Sequence, residues 1–562
     1  MSLSLPSAPG AQLFKSGYQT QSAEDGAVQR NILACNEVSE IVRTSLGPTG
    51  RSKLVVNRIG KVFLSSDAAT IVGELEVVHP AAKLLVMASL QQEAEFGDAT
   101  NLVIVFAGEL LSQALKLINL GIHPAEIAKG YEVACSKVSA LLESPAFTSY
   151  TLENIYDHKQ LVKAISSSIA SKQYGSEELI SDLVAQACLQ VMPPERPKAF
   201  NVDNIRVVKV MGASLEQSYV VRGMVFPREP EGQIKKLASP VQGGVHKVAV
   251  YTCAIDAGHT ETKGTVLLKN AEEMLNFSKG EEVQVEALIK SIADTGIRVI
   301  VAGSTVSELA LHFLDRAGIL CIKVPSKFDI RRLCRVVNAT PLGHFATPEP
   351  QEAGSIDAVT TMEIGGDRVT VFEQSAEHRA RTTTILLRGA TKNALDDIER
   401  AIDDAVNVVK CLTIDPRMTT GAGSAEIELA SQCAEIGERT PGLMHHAIKG
   451  FAKAFEVIPR TLAENAGFDA TDVLSKLYAA HANDSSSAIS SIGVDVDDSE
   501  GTGIFDATTA NIFDAVAIKS SAIKLATDAA TTILTVDQIV MAKKAGGPAM
   551  PQSRPGNWDA DD

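Results

Sequence analysis

Scarcity is informative in this chain. Tryptophan occurs once in 562 residues, and none of the eight cysteines, at 35, 135, 188, 253, 321, 334, 411 and 433, forms a C-x-x-C pair. Scattered thiols of this kind suit a reducing compartment and argue against a disulfide framework or a cysteine metal knuckle. The opening stretch MSLSLPSAPGAQ has no basic-then-apolar leader, and no unbroken apolar run reaches the ~18 residues of a membrane span. A cytoplasmic protein with no membrane partner is therefore expected. Positive charge is also short: 52 Lys and Arg against 68 Asp and Glu leave a net charge of −16, which disfavours nucleic acid as a partner. No G-x-x-x-x-G-K-[ST] occurs, so a P-loop NTPase is excluded.

What is present is an ordinary globular composition, 45% apolar and 21% charged, over a length that calls for about three or four domains. Apolar residues at Val28, Ile32, Cys35, Val38, Val42 and Leu46 follow a helical period that Gly47-Pro48 should end. Residues 53–57 and 61–65 read as a hairpin, and 80–143 as Ala- and Leu-rich helices. From about 216 to 368 short apolar strands at 247–251, 299–302 and 320–324 alternate with helices at 283–294 and 306–317, an α/β texture. Long helices return from about 391 to 480, followed by a helix at 521–534 and a strand at 535–542. Helical ends around an α/β middle suggest a nested, out-and-back chain.

Three loops carry chemistry. Thr44-Ser45-Leu46-Gly47-Pro48-Thr49-Gly50, Gly97-Asp98-Ala99-Thr100-Asn101 and Thr420-Gly421-Ala422-Gly423-Ser424 combine small residues with hydroxyls. Such loops let the main chain approach phosphate or sugar oxygens. Their separation implies one nucleotide site built from both ends of the chain. Asp98 reads either as the cap of the helix starting at Leu102 or as a metal ligand beside phosphates, with amides 99–102 donating to them. Asp67 reads as a turn aspartate. Helical periodicity does not choose between Asp403 and Asp404 as a water-polarising carboxylate, since both lie off the Ile398/Ile402/Ala405/Val409 stripe. His445-His446 is not a metal pair, because adjacent residues diverge on a helix.

TSLGPTG (44–50), SDAAT (66–70), HPAAKLLV (79–86), GDATN (97–101), SKQYG (171–175), ERAIDDA (399–405), GAG (421–423) and ATDAATTILTVDQIV (526–540), in this order, resemble the group II chaperonins. These are the ATP-driven folding rings of archaea and the eukaryotic cytosol. The resemblance implies a multidomain α+β fold. Residues 1–150 and 402–545 would form a mainly helical equatorial ATPase domain, and 151–216 with 369–401 an intermediate hinge. Residues 217–368 would be an α/β apical domain bearing a lid protrusion at about 262–282, and 546–562 a disordered tail. Partners would be paralogous subunits in a double ring and unfolded client polypeptides, the latter meeting the helix at 306–316. That helix would also pack on its sheet through Leu309, Phe313 and Leu314.

The resemblance also assigns roles. ATP or ADP would contact Leu46, Gly47, Pro48, Gly97, Ala99, Thr100, Asn101, Leu102, Ala170, Ser171, Lys172, Gly421, Ala422, Gly423 and Asp514, with Mg²⁺ on Asp98. It selects Asp404 as the catalytic base, places Asp67 near the attacking water, makes Lys172 a sensor of the γ-phosphate and has Asp514 accept from ribose hydroxyls. Six positions depart from the family pattern: Ala99 and Asn101 for Gly and Thr, Ser66 and Ala68 for Asn and Gly, Thr49 for Lys, and Ala422 for Gly. The Ala99 methyl demands a backbone φ that glycine would not and could crowd a phosphate. ATP binding with hydrolysis is expected, the alternative being a structural ring member that binds nucleotide but turns it over slowly.

Overall fold

The computed structural model describes residues 19–21, 26–57, 59–238, 244–256, 269–374, 382–483, 490–497 and 502–541. The two ends of the chain share one helical body. Helices Ala27–Arg43, Pro80–Glu95, Thr100–Asn119 and Pro124–Leu142 pack with Ser424–Arg439, Met444–Ala454, Val457–Ala466, Ala470–Asn483 and Val516–Thr535. Their core is continuous, running from Ile32 and Phe147 on the early side to Ile427 and Leu534 on the late side. Helix Thr100–Asn119 lies at its centre. By length and composition it could cross a membrane, though its run is broken by polar residues, but it is mostly buried within this chain. Phe106 on it stacks on Phe455 at 4.7 Å and meets Phe451 edge-on at 5.5 Å, arrangements that ring quadrupoles favour.

The first helix ends at Arg43 rather than at Gly47. Thr44 to Gly50 form a separate turn, with Gly47 at φ 84° and the Gly50 amide donating to its carbonyl. Lys53–Val56 and Val62–Ser65 form the expected antiparallel hairpin, which pairs with no other described strand. It leaves Leu54, Val56, Ile59 and Val62 exposed. At the far end the helix runs on to Thr535, so the expected 535–542 strand shortens to Ile539–Met541, antiparallel to Gln19–Gln21.

A second layer joins helices His158–Ala170 and Glu177–Val191 to Lys392–Leu412 through one core. A five-stranded sheet continues it, in the order Ala358–Ile364, Asp367–Glu373, Tyr219–Phe226, Thr383–Gly389, Ile205–Met211. Helix Lys392–Leu412 is unbroken across 401/402 and strand Asp367–Glu373 across 368/369. The divisions expected there pass through elements rather than between them.

Beyond lies a parallel sheet in the order Pro341–Leu342, His246–Tyr251, Ile297–Ala302, Leu320–Lys323, with Gly354–Ile356 antiparallel on His246–Tyr251. Both faces are buried, as parallel strands require. Val248, Val250, Val299 and Val301 face helix Lys327–Val337; Ala249, Tyr251, Ile300 and Ala302 face helices Ala271–Asp294 and Glu308–Arg316. Helix Glu308–Arg316 seats Ala310 and Leu314 fully, with Phe313 partly buried; Leu309 is not in that core. His312 and Arg316 stay on its outer face. Of the expected protrusion, 262–268 lie outside the described residues, and a single helix runs from Ala271. The tail at 546–562 lies outside them as well. All eight cysteines are free thiols.

Candidate nucleotide site between the helical body and the second layer

Two cavities of about 180 and 460 Å³ lie where the helical body meets helix His158–Ala170. They share Leu46, Gly47, Ser167, Ser171, Glu426 and Asp514, and so form two lobes of one cleft. Asp98, Ala99, Thr100, Asn101, Leu102 and Lys172 line the smaller lobe; Pro48, Ala170, Ala422 and Gly423 line the larger. Residues from all three sequence loops and from the second layer thus converge. Gly97 and Gly421 sit just behind the lining. Gly97 has φ 75°, and a Cβ on it would lie 2.3 Å from Asn407 Nδ2. Gly47 is held as tightly, with Leu462 Cδ2 2.4 Å from where a Cβ would be.

Asp67 and Asp404 do not line the cleft; they grip Lys172, which does. Lys172 Nζ lies 3.2 Å from Asp67 Oδ1 and contacts Asp404 Oδ2 more closely. The three side chains are only 9%, 7% and 12% exposed, so the pairing is shielded from water. Asp67 is also the cap of helix Ala68–Glu74: Oδ2 accepts from the Thr70 amide at 3.0 Å and its hydroxyl at 2.9 Å. Thr100 Oγ1 donates to Oδ1 at 2.7 Å. Burial alone would raise the Asp67 pKa; Lys172 and these donors outweigh it and hold the carboxyl well below the usual range. Asp67 thus closes the turn into helix Ala68–Glu74, as its sequence position suggests, and also pairs with Lys172. Asp404 is buried on the Lys172 side of its helix while Asp403 lies on the solvent side, a distinction that periodicity could not draw.

Asp98 is not a helix cap. The cap position belongs to Ala99, at φ 64°, and the helix starts at Thr100. Asp98 Oδ1 accepts from the Ala99 amide at 2.7 Å, and Oδ2 from Ser168 Oγ at 2.6 Å. The Ala99 amide is thus taken up by Asp98. The first-turn amides of Thr100, Asn101 and Leu102 have no partner within their helix, the usual state of a helix N-terminus. Among the described residues no group of three His, Cys, Asp or Glu could hold a metal. A hard cation on Asp98 would have to complete its shell with phosphate and water oxygens, as Mg²⁺ does.

Asn101 acts as a clamp. Its Oδ1 accepts from the Ala68 amide at 2.8 Å, and its Nδ2 reaches Ser66 O at 3.1 Å, Ser45 Oγ at 3.2 Å and Ser45 O at 3.3 Å. One amide side chain therefore ties together the 44–50, 65–68 and 97–101 loops. Ala99 at φ 64° and Ala422 at φ 54° hold the left-handed backbone that glycine adopts at no steric cost.

Sequence reasoning missed Ser168, Glu426 and Lys519, which also line the cleft. Glu426 lies two residues beyond the third loop, where nothing in the sequence marks it. Lys519 sits one turn into a helix with nothing local to mark it. Both are found only through their ion pair, Lys519 Nζ to Glu426 Oε1 at 2.8 Å.

Residues 38–544 match the TCP-1/cpn60 chaperonin family. The chain is 55% identical to a probable T-complex protein 1 subunit theta of Schizosaccharomyces pombe and 52% identical to the T-complex protein 1 subunit theta of Saccharomyces cerevisiae. It is 47% identical to the human subunit of that name, and in each case the match covers 100% of both chains. With its fold assembled from both chain ends around one cleft, the chain belongs to the TCP-1/cpn60 chaperonin family.

Proposed function

We propose that this chain is an ATP-dependent protein-folding chaperone subunit, working in the cytoplasm within a hetero-oligomeric double ring of paralogous subunits that encloses unfolded polypeptide. The observation that carries the reading is Lys172 of the hinge layer bridging Asp67 and Asp404 beside a phosphate-sized lobe. The full-length likeness to T-complex protein 1 theta subunits supports the ring, as do the exposed apolar residues of the self-paired hairpin. Such an edge needs a partner in any soluble assembly.

The combined cleft falls in the range of small-molecule sites. Phosphates fit the smaller lobe, against the free first-turn amides of helix Thr100–Asn119. Ribose and base fit the larger, over Leu46–Pro48, Ala422 and Gly423, with Asp514 at the junction. Mg²⁺ on Asp98 would offset phosphate charge. Asp404 would polarise the attacking water, with Asp67 beside it, a role for carboxylates held in place by packing. A γ-phosphate competes with these two carboxylates for Lys172. Binding and hydrolysis would therefore alternate the partners of a hinge lysine, which is a population shift with a stated contact difference.

The test is hydrolysis by the purified multi-chain particle carrying Asp404→Ala in this subunit alone. Loss of this subunit's share of phosphate release, with assembly intact, supports the reading. An unchanged rate, with nucleotide still bound, favours the slow structural member to which Ala99 at φ 64° points. Failure to enter any ring overturns the subunit assignment.

A further inference from the structure

Lys519 is the most buried cation in the cleft and has no part in the reading above. Its side chain is 5% exposed, and Glu426, its partner at 2.8 Å, is 4% exposed. The second partner differs: Asp514 Oδ2 lies 2.9 Å from the same Nζ, yet the Asp514 side chain is 40% exposed. Asp514 and Glu426 line both lobes, and Lys519 the smaller. The cluster is therefore a closed base of one carboxylate and one ammonium, with a second carboxylate reaching from it into the cleft.

The backbone beneath Asp514 is fixed, because strand Phe513–Ala515 pairs with Arg417–Thr420 and sets Asp514 opposite Thr419. Gly421 leaves the carboxylate room: a Cβ there would come within 3.3 Å of Asp514 Oδ2 and 2.9 Å of Ile512. What the strand does not fix is the side-chain torsion. Lys519 does so, by taking Oδ2, and Glu426 fixes Lys519 in turn. Burial on its own would lower the Lys519 pKa, but Asp514 and Glu426 outweigh it and raise it, so the ammonium is charged. Two carboxylates and one ammonium leave one net negative charge, which rests on the exposed member. A carboxylate held like this suits a pair of neighbouring hydroxyl donors, and repels a phosphate.

We propose that Lys519, braced by Glu426, is a positioning residue that orients Asp514 to accept from a ribose cis-diol, and so sets the preference of this cleft for ribonucleotides over nucleotides lacking those hydroxyls. The proposal rests on the nucleotide reading of the cleft. Removing Lys519 leaves Glu426 buried without a counter-charge beside a second carboxylate, so Asp514 turns away or one of the two takes up a proton.

The test compares ADP with 2′,3′-dideoxy-ADP, both with Mg²⁺, by titration calorimetry on the full-length chain. Hydroxyl bonds to a charged acceptor make the wild type favour ADP by about 10-fold or more. Lys519→Met is expected to bring that ratio to within about 2-fold, and Lys519→Arg, which keeps the charge, to restore most of it. Mg²⁺-pyrophosphate, which has no ribose, reports separately what each substitution does to the lobe that Lys519 also lines, so that the ratio of the two nucleotides is read apart from it. A purely structural role would weaken all three ligands together and leave the ratio unchanged. A wild-type ratio in a folded Lys519→Met chain overturns the proposal while leaving the nucleotide reading standing. Where Lys519→Met does not fold, Glu426→Gln carries the test: the ratio must fall, and a wild-type ratio overturns the proposal. A wild-type chain that binds neither nucleotide overturns the nucleotide reading, and this proposal with it.

Discussion

The Tyr174 hydroxyl donates to Asp497 Oδ2, joining residues 323 positions apart in the sequence. Tyr174 follows helix His158–Ala170 in the second layer, Asp497 belongs to the helical body, and both line the larger lobe. The bond thus spans the same divide as the Lys172 contacts, at the other end of the cleft.

Tyr174→Phe removes this bridge without removing the ring. Stability of the isolated chain should change little, since the site is half exposed, whereas release of bound ADP should quicken by about 3- to 10-fold, the net worth of one hydrogen bond that solvent partly screens. Stopped-flow displacement measures it. The hydrogen bond to Asp497, then burial, push the Tyr174 pKa up to about 12. A raised pKa means that the bridge contributes fully below the ordinary tyrosine value near 10 and is lost as pH rises through about 12. Release rates should therefore be flat in this bond across neutral pH.

Asp404→Asn and Lys172→Met should part company. The first keeps shape and removes the proposed base, so hydrolysis should fall by about 10²- to 10⁴-fold with little change in nucleotide affinity. The second leaves two buried carboxylates without their cation, and should destabilise the nucleotide-free chain by about 3 kcal/mol or more. Nucleotide titration and thermal melts separate the two. Asp67, with its lowered pKa, contributes its stability above the ordinary carboxylate range and loses it only as pH falls below that range.

Ala99→Gly should stabilise. An L-residue in the left-handed region costs about 1–2 kcal/mol, and Ala99 sits there at φ 64°. A rise in melting temperature is expected, partly offset by the greater freedom of glycine in the unfolded chain. If hydrolysis rises too, the methyl was crowding the phosphate lobe as well as straining the backbone.

Phe106→Ala should cost about 3–5 kcal/mol, since the ring is fully buried between Phe451 and Phe455. Because those partners come from the far end of the chain, the loss should unfold both halves of the helical body in one transition. A split transition in denaturant would show that they are not one cooperative unit.

The nested layout was legible because periodicity is a local signal, and the alternation of Val248 to Tyr251 between two faces is what a buried parallel strand must show. Loop chemistry placed Leu46, Asp98 and Ala422 in one neighbourhood for the same reason. Boundaries were less legible. Gly47-Pro48 looked like a helix stop, but the helix had ended at Arg43, and the glycine serves a turn packed on Leu462. Asp98 looked like a cap because helix starts favour aspartate, and the left-handed Ala99 took the place. Asn101, a departure from the family pattern, became intelligible only when its amide was seen to hold three loops that sequence separates. Pairings across hundreds of residues, such as Lys519 with Glu426, leave no periodic trace.

Helix Lys392–Leu412 has one further consequence. Its 21 residues form a rod about 30 Å long. The outer half is bound to the rest of the second layer, through Asp397 with Gln173 at 2.7 Å and through Asp396 and Glu399 with Lys209. Asp404 sits midway along the rod, and Val408 at its inner end touches the cleft. A side chain held off the axis of a rigid rod moves with any tilt or roll of that rod. Anything that reorients this helix therefore shifts the carboxylate that faces Lys172, so that packing and pairing share a single part.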